Sequence, residues 1–378
     1  MTVQDARQRA TNFFSKRKKG IALNIAIDAV SSFGIGFAAY FFHAQHLALY
    51  KIMLVWAISP LASLPIVFFI NQWDTRKFLR LGVLASIGAS LSLLFYSPYS
   101  YLLFGIFSGL ILGLFWVSFN YCFFAGSADH QHAKDSSLYF ILGPLVGIVM
   151  PPLGALVIDS FSYHVLFSIT CVAMFIPFLL IHGKYFDHKE TIIFKDADRA
   201  FSGIRLIAFF DGALHFFQGH FLTIYILLFL KTEYEFGSLL SYLAIISLSV
   251  SFVLSYVSDK YKKRTQILYP LLLLMATIIM LIPSIKNLAL LVPVIGLYAV
   301  LDNLSLPIRF ATHIDMGTKD TGFWRMSEFY GNIGRTILFA LAAFFLYIGN
   351  YWVPFALFAV MTAVFPFIIS HKLQRMHR

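Results

Sequence analysis

The residues able to do chemistry lie where a charge is hardest to accommodate. Asp28 stands inside the apolar run 21–42 and Asp211 inside the run 204–230. At 1.5 Å per residue each lies about 12 Å along its helix. Asn24, Ser31 and Ser32 fall at i−4, i+3 and i+4 from Asp28, on one face. The stripe stops there, because Ile35 follows at i+7 and Gly36 at i+8. His215 and Gln218 follow Asp211 at i+4 and i+7, whereas His220 is turned away from that stripe. Asp302 and Asn303 lie low in the run 288–311, and Glu328, Asn332 and Arg335 climb the run 323–348 at i, i+4 and i+7. An ionisable group in such a run faces a cavity, a partner or an ion path. Asp28 and Asp211 could therefore carry a coupling proton or bind another cation, with His215 sharing the proton of Asp211. The alternative for each is a packing hydrogen bond or an internal salt bridge. Arg335, about 20 Å into its helix, is the one deep cation. It either binds an anionic substrate or neutralises Glu328, and the pairing is the favoured reading. Trp116, with Phe115 and Tyr121, offers aromatic faces for a substrate or for packing.

The elements that position these groups follow from composition. Hydrophobic residues make up 59% of the 378 positions and charged residues 12%, with a mean hydropathy of +0.77. A soluble chain is about 45–50% apolar and about 25% charged. Such a chain cannot cover itself with polar surface in water, and in lipid it need not. A spanning helix takes about 20 mostly apolar residues. Twelve such runs are predicted: 21–42, 52–70, 81–96, 101–125, 137–158, 164–181, 204–230, 237–257, 267–285, 288–311, 323–348 and 352–370. The fold class is an all-α integral membrane bundle of about twelve helices in two six-helix halves.

The net charge of +11 is membrane topology rather than a nucleic-acid surface. Lys and Arg collect in cytoplasmic loops. With both termini inside, 25 of the 29 basic residues fall in inside segments, three in outside loops (Lys51, Lys231, Lys286), and Arg335 within a helix. The predicted domains are a cytoplasmic N-terminal segment 1–20, a first half 21–182, a cytoplasmic linker 183–203, a second half 204–370 and a tail 371–378. The halves read as a repeat: Asp28 matches Asp211, Asp74 matches Asp259, Ser118 matches Ser305, and Gly143 matches Gly331, with offsets of 183, 185, 187 and 188. Parallel repeats with substrate held near the midplane are a transporter architecture. Cys122 and Cys171 lie in apolar stretches and imply no disulfide framework.

The segment from Ser255 to Arg264 resembles the loop motif of the major facilitator superfamily, G-x-x-x-D-R-x-G-R-R. Asp259, Lys260, Lys263 and Arg264 match by type, and Ser255 and Lys262 replace the glycines. The earlier copy keeps Asp74, with Arg76 and Lys77 out of register. In that family such loops gate the cytoplasmic side, a carboxylate at a helix end pairing with bases of the neighbouring half. The alternative is topology and solvated charge alone. Helix 5, from Leu142 to Gly154, is similar to the Gly/Pro-rich helix of the family's antiporters. Gly143, Gly147 and Gly154 are expected on one face, allowing close helix approach. Pro151-Pro152 replaces the antiporters' Gly-Pro, and no Lys or Arg lies between Tyr101 and Ala125, unlike the family's proton-coupled drug exporters. The resemblance also implies that helices 1, 4, 7 and 10 line a central cavity, where Asp28, Asp211 and Asp302 would converge.

The expected function is secondary active transport of a small molecule by alternating access, coupled to protons or another cation. The protein is expected in a plasma or bacterial inner membrane, as a monomer among lipids, without a cofactor or metal, and not as an enzyme. Asp129-His130-Gln131-His132 has metal-ligand character but reads as a solvated loop. No nucleotide-binding loop or nucleophile elbow is present. The alternatives are a flippase for lipids or lipid-linked molecules and a non-transporting receptor on the same scaffold.

Overall fold

A bilayer offers backbone N–H and C=O groups no water, so apolar runs of this length close their hydrogen bonds internally as helices. The computed structural model describes residues 3–124, 132–250, 264–316 and 320–376, nearly all of them helical. The first half holds α1 (Lys18–Ala44), α2 (Leu49–Phe69), α3 (Thr75–Leu94), α4 (Ser100–Phe124), α5 (Asp135–Ser160) and α6 (Tyr163–Leu180). The second holds α7 (Arg205–Ile226), α8 (Glu233–Val250), α9 (Gln266–Ser284), α10 (Leu288–Asp315), α11 (Thr321–Tyr347) and α12 (Trp352–Lys372). Among the described residues ten of these are long and apolar enough to cross a membrane, and α7 joined to a short linker helix makes eleven. α8 fills the twelfth place with 18 residues and two glutamates in its first turn. Its predicted continuation to Val257, and Asp259, Lys260 and Lys263 of the loop motif, lie outside the described residues; Arg264 opens the helix that continues into α9.

Two helices differ from expectation. α3 starts at Thr75 rather than Leu81, because Asp74 caps it, its carboxylate accepting from the Lys77 N–H at 3.0 Å. α10 runs on to Asp315 rather than ending at 311, so Arg309, already within the predicted run, lies inside the helix rather than at its end. Arg309 and Arg325, counted above among the loop bases, are buried at 1% and 0% exposure. Without them the loop bias is 23 to three, still one-sided.

The halves meet where α2 packs on α11 and where α5 packs on α8 and α10. Within the halves α1 lies on α5, and α7 on α11. The α7–α11 crossing is set by Gly212 and Gly331, since a Cβ on Gly212 would collide with the Gly331 backbone. The glycines of α5 do not form one shared face. Gly143 and Gly154 meet α1, while Gly147 meets Ala244 of α8. The reason is a break in α5: its helical segments are His132–Gly147 and Met150–Ser160, the second opening with Pro151 and Pro152.

The segment joining the halves is ordered. β1 (Gln72–Asp74) pairs antiparallel with β2 (Lys189–Thr191), with Trp73 opposite Glu190. Trp73 is buried and donates its indole N–H to Ser118 Oγ at 3.1 Å. The linker helix Phe194–Ala200 then lies at 93° to α7. The end of the bundle carrying this ladder is termed the linker end.

Candidate substrate and proton site

Between the halves lies a cavity of ≈ 470 Å³ lined from α1, α2, α3, α4, α5, α7, α10 and α11. Its walls are chiefly aromatic and aliphatic, as in most small-molecule sites. Asp28 lines it from α1, Trp116 from α4, Asp211 and His215 from α7, and Glu328 and Arg335 from α11. Each predicted residue in that group therefore faces one space.

The charges in this space are not equivalent. Arg335 donates from Nη1 to Glu328 at 2.8 Å and to Asn332 Oδ1, and from Nε to the Gly212 carbonyl at 3.1 Å. Its guanidinium also lies 4.3 Å from the centre of the Phe216 ring. Asp211 is likewise engaged: Arg309 Nη1 stands 3.2 Å from its Oδ1, and Arg309 Nη2 donates to Asp302 Oδ1 at 2.9 Å. One fully buried guanidinium thus joins α10 to α7 and holds two carboxylates. Asp28 makes no hydrogen bond or ion pair among the described residues. Gly143 leaves room for its carboxylate, since a Cβ there would stand 3.3 Å from Oδ2.

Three predicted residues lie elsewhere. Asp302 does not line the cavity; it is buried beside Arg309. Asn332 is buried in the seam between halves, donating to Ser63 Oγ at 2.6 Å. Gln218 is displaced by a π-helical segment, Phe217–Leu222. A π turn repeats every five residues in its hydrogen bonding, so the stripe from Asp211 and His215 passes to His220 and not to Gln218. His220 lines the cavity and stacks on Trp56 of α2, with ring centres 3.9 Å apart.

The loop after α2 departs from the expected gate. Asp74 faces Lys189 at 3.6 Å, and Arg76 faces Asp187 at 3.1 Å and donates to the Gly183 carbonyl at 2.9 Å. These partners belong to the linker, not to the second half. Lys77 contributes its backbone N–H to the Asp74 cap. Among the described residues, Arg325 of α11 bridges the halves at this end by hydrogen bonds. It donates to the Val67 and Phe68 carbonyls at the end of α2 and to the Ile192 carbonyl of the linker. Trp324 beside it stacks on Phe124 at 5.3 Å and on Phe310 at 5.7 Å. At the opposite end Phe236 of α8 packs against Phe37 and Tyr40 of α1, and Tyr163 donates to Glu233 at 3.1 Å. The cavity lies between these two layers of contact.

Sequence reasoning missed Arg309, Arg325, His220 and Trp56. Arg309 was legible, since Asp302 and Arg309 repeat the i, i+7 spacing of Glu328 and Arg335.

Comparison with known proteins agrees with this layout. No curated protein matches the chain. Among solved structures it is similar to a bacterial homologue of the iron transporter ferroportin in an outward-facing state, with TM-score 0.70 and 12% identity over 95% of this chain and 100% of that one. It is also similar to the human organic anion transporter MFSD10 (TETRAN), with TM-score 0.63 and 10% identity over 94% and 99%. A POT family transporter in complex with 5-aminolevulinic acid gives TM-score 0.67 and 12% identity over 96% and 97%. At these identities the likeness is one of fold. The profile of the Major Facilitator Superfamily matches residues 20–323, and this multi-pass membrane chain belongs to that family of transporters.

Proposed function

We propose that the protein is a proton-coupled secondary transporter of a small molecule, working by alternating access with Asp28 as the coupling group. The observation that carries the reading is the contrast among the cavity carboxylates. Asp211 and Glu328 are held by Arg309 and Arg335, whereas Asp28 has no ion-pair partner among the described residues. A carboxylate already neutralised by a guanidinium gains little from a proton, whereas an unpaired one in a low-dielectric cavity gains most. Alternating access is supported by the position of the cavity between two layers of inter-half contact, each breakable while the other holds. The linker end is cytoplasmic, with both termini, by the excess of bases there. One copy in lipid suffices, since the cavity is built from one chain, and no enzymatic step is assigned.

The test begins with a metabolite comparison of cells with and without the protein, which identifies the substrate. Its accumulation is then expected to collapse on adding a proton uncoupler. Accumulation that survives the uncoupler and follows a sodium gradient contradicts proton coupling.

A further inference from the structure

The cavity wall around Asp28 is rich in acceptors. Asn24, one turn earlier on α1, is 2% exposed, lines the cavity, and its Oδ1 has no hydrogen-bond partner. The Asp28 carboxylate on the same stripe has no hydrogen bond or ion pair among the described residues. A buried amide oxygen and a part-buried carboxylate left without donors call for a ligand that brings N–H groups, and for a positive one where the acceptor is a carboxylate. The rest of this wall is π surface. Trp116, Tyr139 and Phe140 line the cavity, with Trp116 and Tyr139 centred 6.4 Å apart. Such faces favour a cation and an aromatic body. The cavity's guanidinium is already committed: Arg335 is bound to Glu328, Asn332 and the Gly212 carbonyl. Arg309 sits between Asp211 and Asp302. Three carboxylates, Asp28, Asp211 and Glu328, line the cavity with one guanidinium, Arg335, so among the described residues an anionic ligand would meet no uncommitted guanidinium there.

We infer that the substrate is a protonated amine carrying an aromatic or other apolar body, its ammonium held by Asp28 and Asn24 and its body against Trp116, Tyr139 and Phe140. The inference rests on the reading of Asp28 as the coupling group and gives the same carboxylate a second ligand. A cavity of ≈ 470 Å³ lies within the range of drug-sized ligand sites, about 300–1,000 Å³.

The experiment is equilibrium binding to the purified full chain in detergent, by calorimetry, with three probes on one ring: 1-naphthylmethylamine, 1-naphthylmethanol and 1-naphthoate. The amine is expected to bind at least ten-fold tighter than the alcohol and the acid. In Asp28→Asn the amine is expected to lose that ten-fold advantage while the alcohol binds as before, which also reports that the variant is folded. Asn24→Leu is expected to weaken the amine several-fold and to spare the alcohol. Equal or tighter binding of the acid by the unaltered protein overturns the inference, as does an amine preference that survives in Asp28→Asn. No gradient is present in this measurement. A result against the amine therefore leaves proton coupling standing, and an uncoupled transporter that still prefers the amine removes the coupling reading alone.

Discussion

At the scale of single residues, the buried ions carry the firmest expectations. Arg309 is fully buried between Asp302 and Asp211. Removing one partner of a buried ion cluster typically costs about 3–5 kcal/mol, because the remaining charges lose their neutralisation. Arg309→Gln is therefore expected to lower the thermal unfolding midpoint in detergent sharply, and adding Asp302→Asn to recover part of the loss. A midpoint unmoved by Arg309→Gln would contradict the cluster. The same residue shows how far the sequence could be read. The place of Asp28, Asp211, Glu328 and Arg335 on the cavity followed from their position in apolar runs. Arg309 stood near a predicted helix end, where the positive-inside rule explains any base, and only its i+7 spacing from Asp302 argued otherwise. That Asp211 is occupied and Asp28 is not depends on which helix faces α7, and no local pattern encodes that.

At the scale of elements, helix identity was legible from apolar length, while irregularity within helices was not. The π segments Ile111–Trp116 and Phe217–Leu222 have no Pro or charge signature; Gly113 and Gly219 inside them are common in any membrane helix. Their effect is large, since one of them puts His220 rather than Gln218 into the cavity. The break in α5, by contrast, was written in Pro151-Pro152, and it divides the three glycines between two partners. The α7–α11 crossing gives a direct test. Gly212 has no space for a side chain against Gly331, whereas nothing lies within 4 Å of a Cβ built on Gly219. Overpacking of this kind costs about 1–3 kcal/mol. Gly212→Val is expected to lower the unfolding midpoint and weaken the Arg335 contact to the Gly212 carbonyl, and Gly219→Ala to leave the midpoint within error. Equal effects at both positions would contradict the close crossing.

At the scale of the whole molecule, the all-helical membrane bundle was legible because the bilayer forces long apolar runs into helices, ten or eleven of them long and apolar enough to span among the described residues, but the contacts that close the linker end were not. The charged motif residues after α2 hold the linker, through Lys189 and Asp187. At this end Arg325 of the second half instead gives its N–H groups to three carbonyls, on α2 and the linker, beside the Trp324 stack on Phe124. Opening the cavity toward this end requires those bonds to break together. Hydrogen bonds from a charged group contribute about 1.5–3 kcal/mol each, and an ammonium cannot reproduce the planar fork. In a background lacking Cys122 and Cys171, a cysteine at Ser327, which lines the cavity, reports access. Arg325→Lys is expected to raise its labelling rate by a membrane-impermeant thiol reagent from the linker side several-fold; an unchanged rate would contradict the latch.

The central claim is that Asp28 couples transport to protons, and one measurement addresses it most directly. Protein reconstituted in vesicles holding a pH-sensitive dye is given the substrate found by metabolite comparison, at concentrations that saturate each variant. In the unaltered protein, substrate movement is expected to carry a measurable proton flux. In Asp28→Asn, whose side chain keeps the shape but cannot titrate, substrate is expected to move down its gradient with no proton flux. Proton flux per substrate equal to that of the unaltered protein would place the coupling group elsewhere and contradict the account.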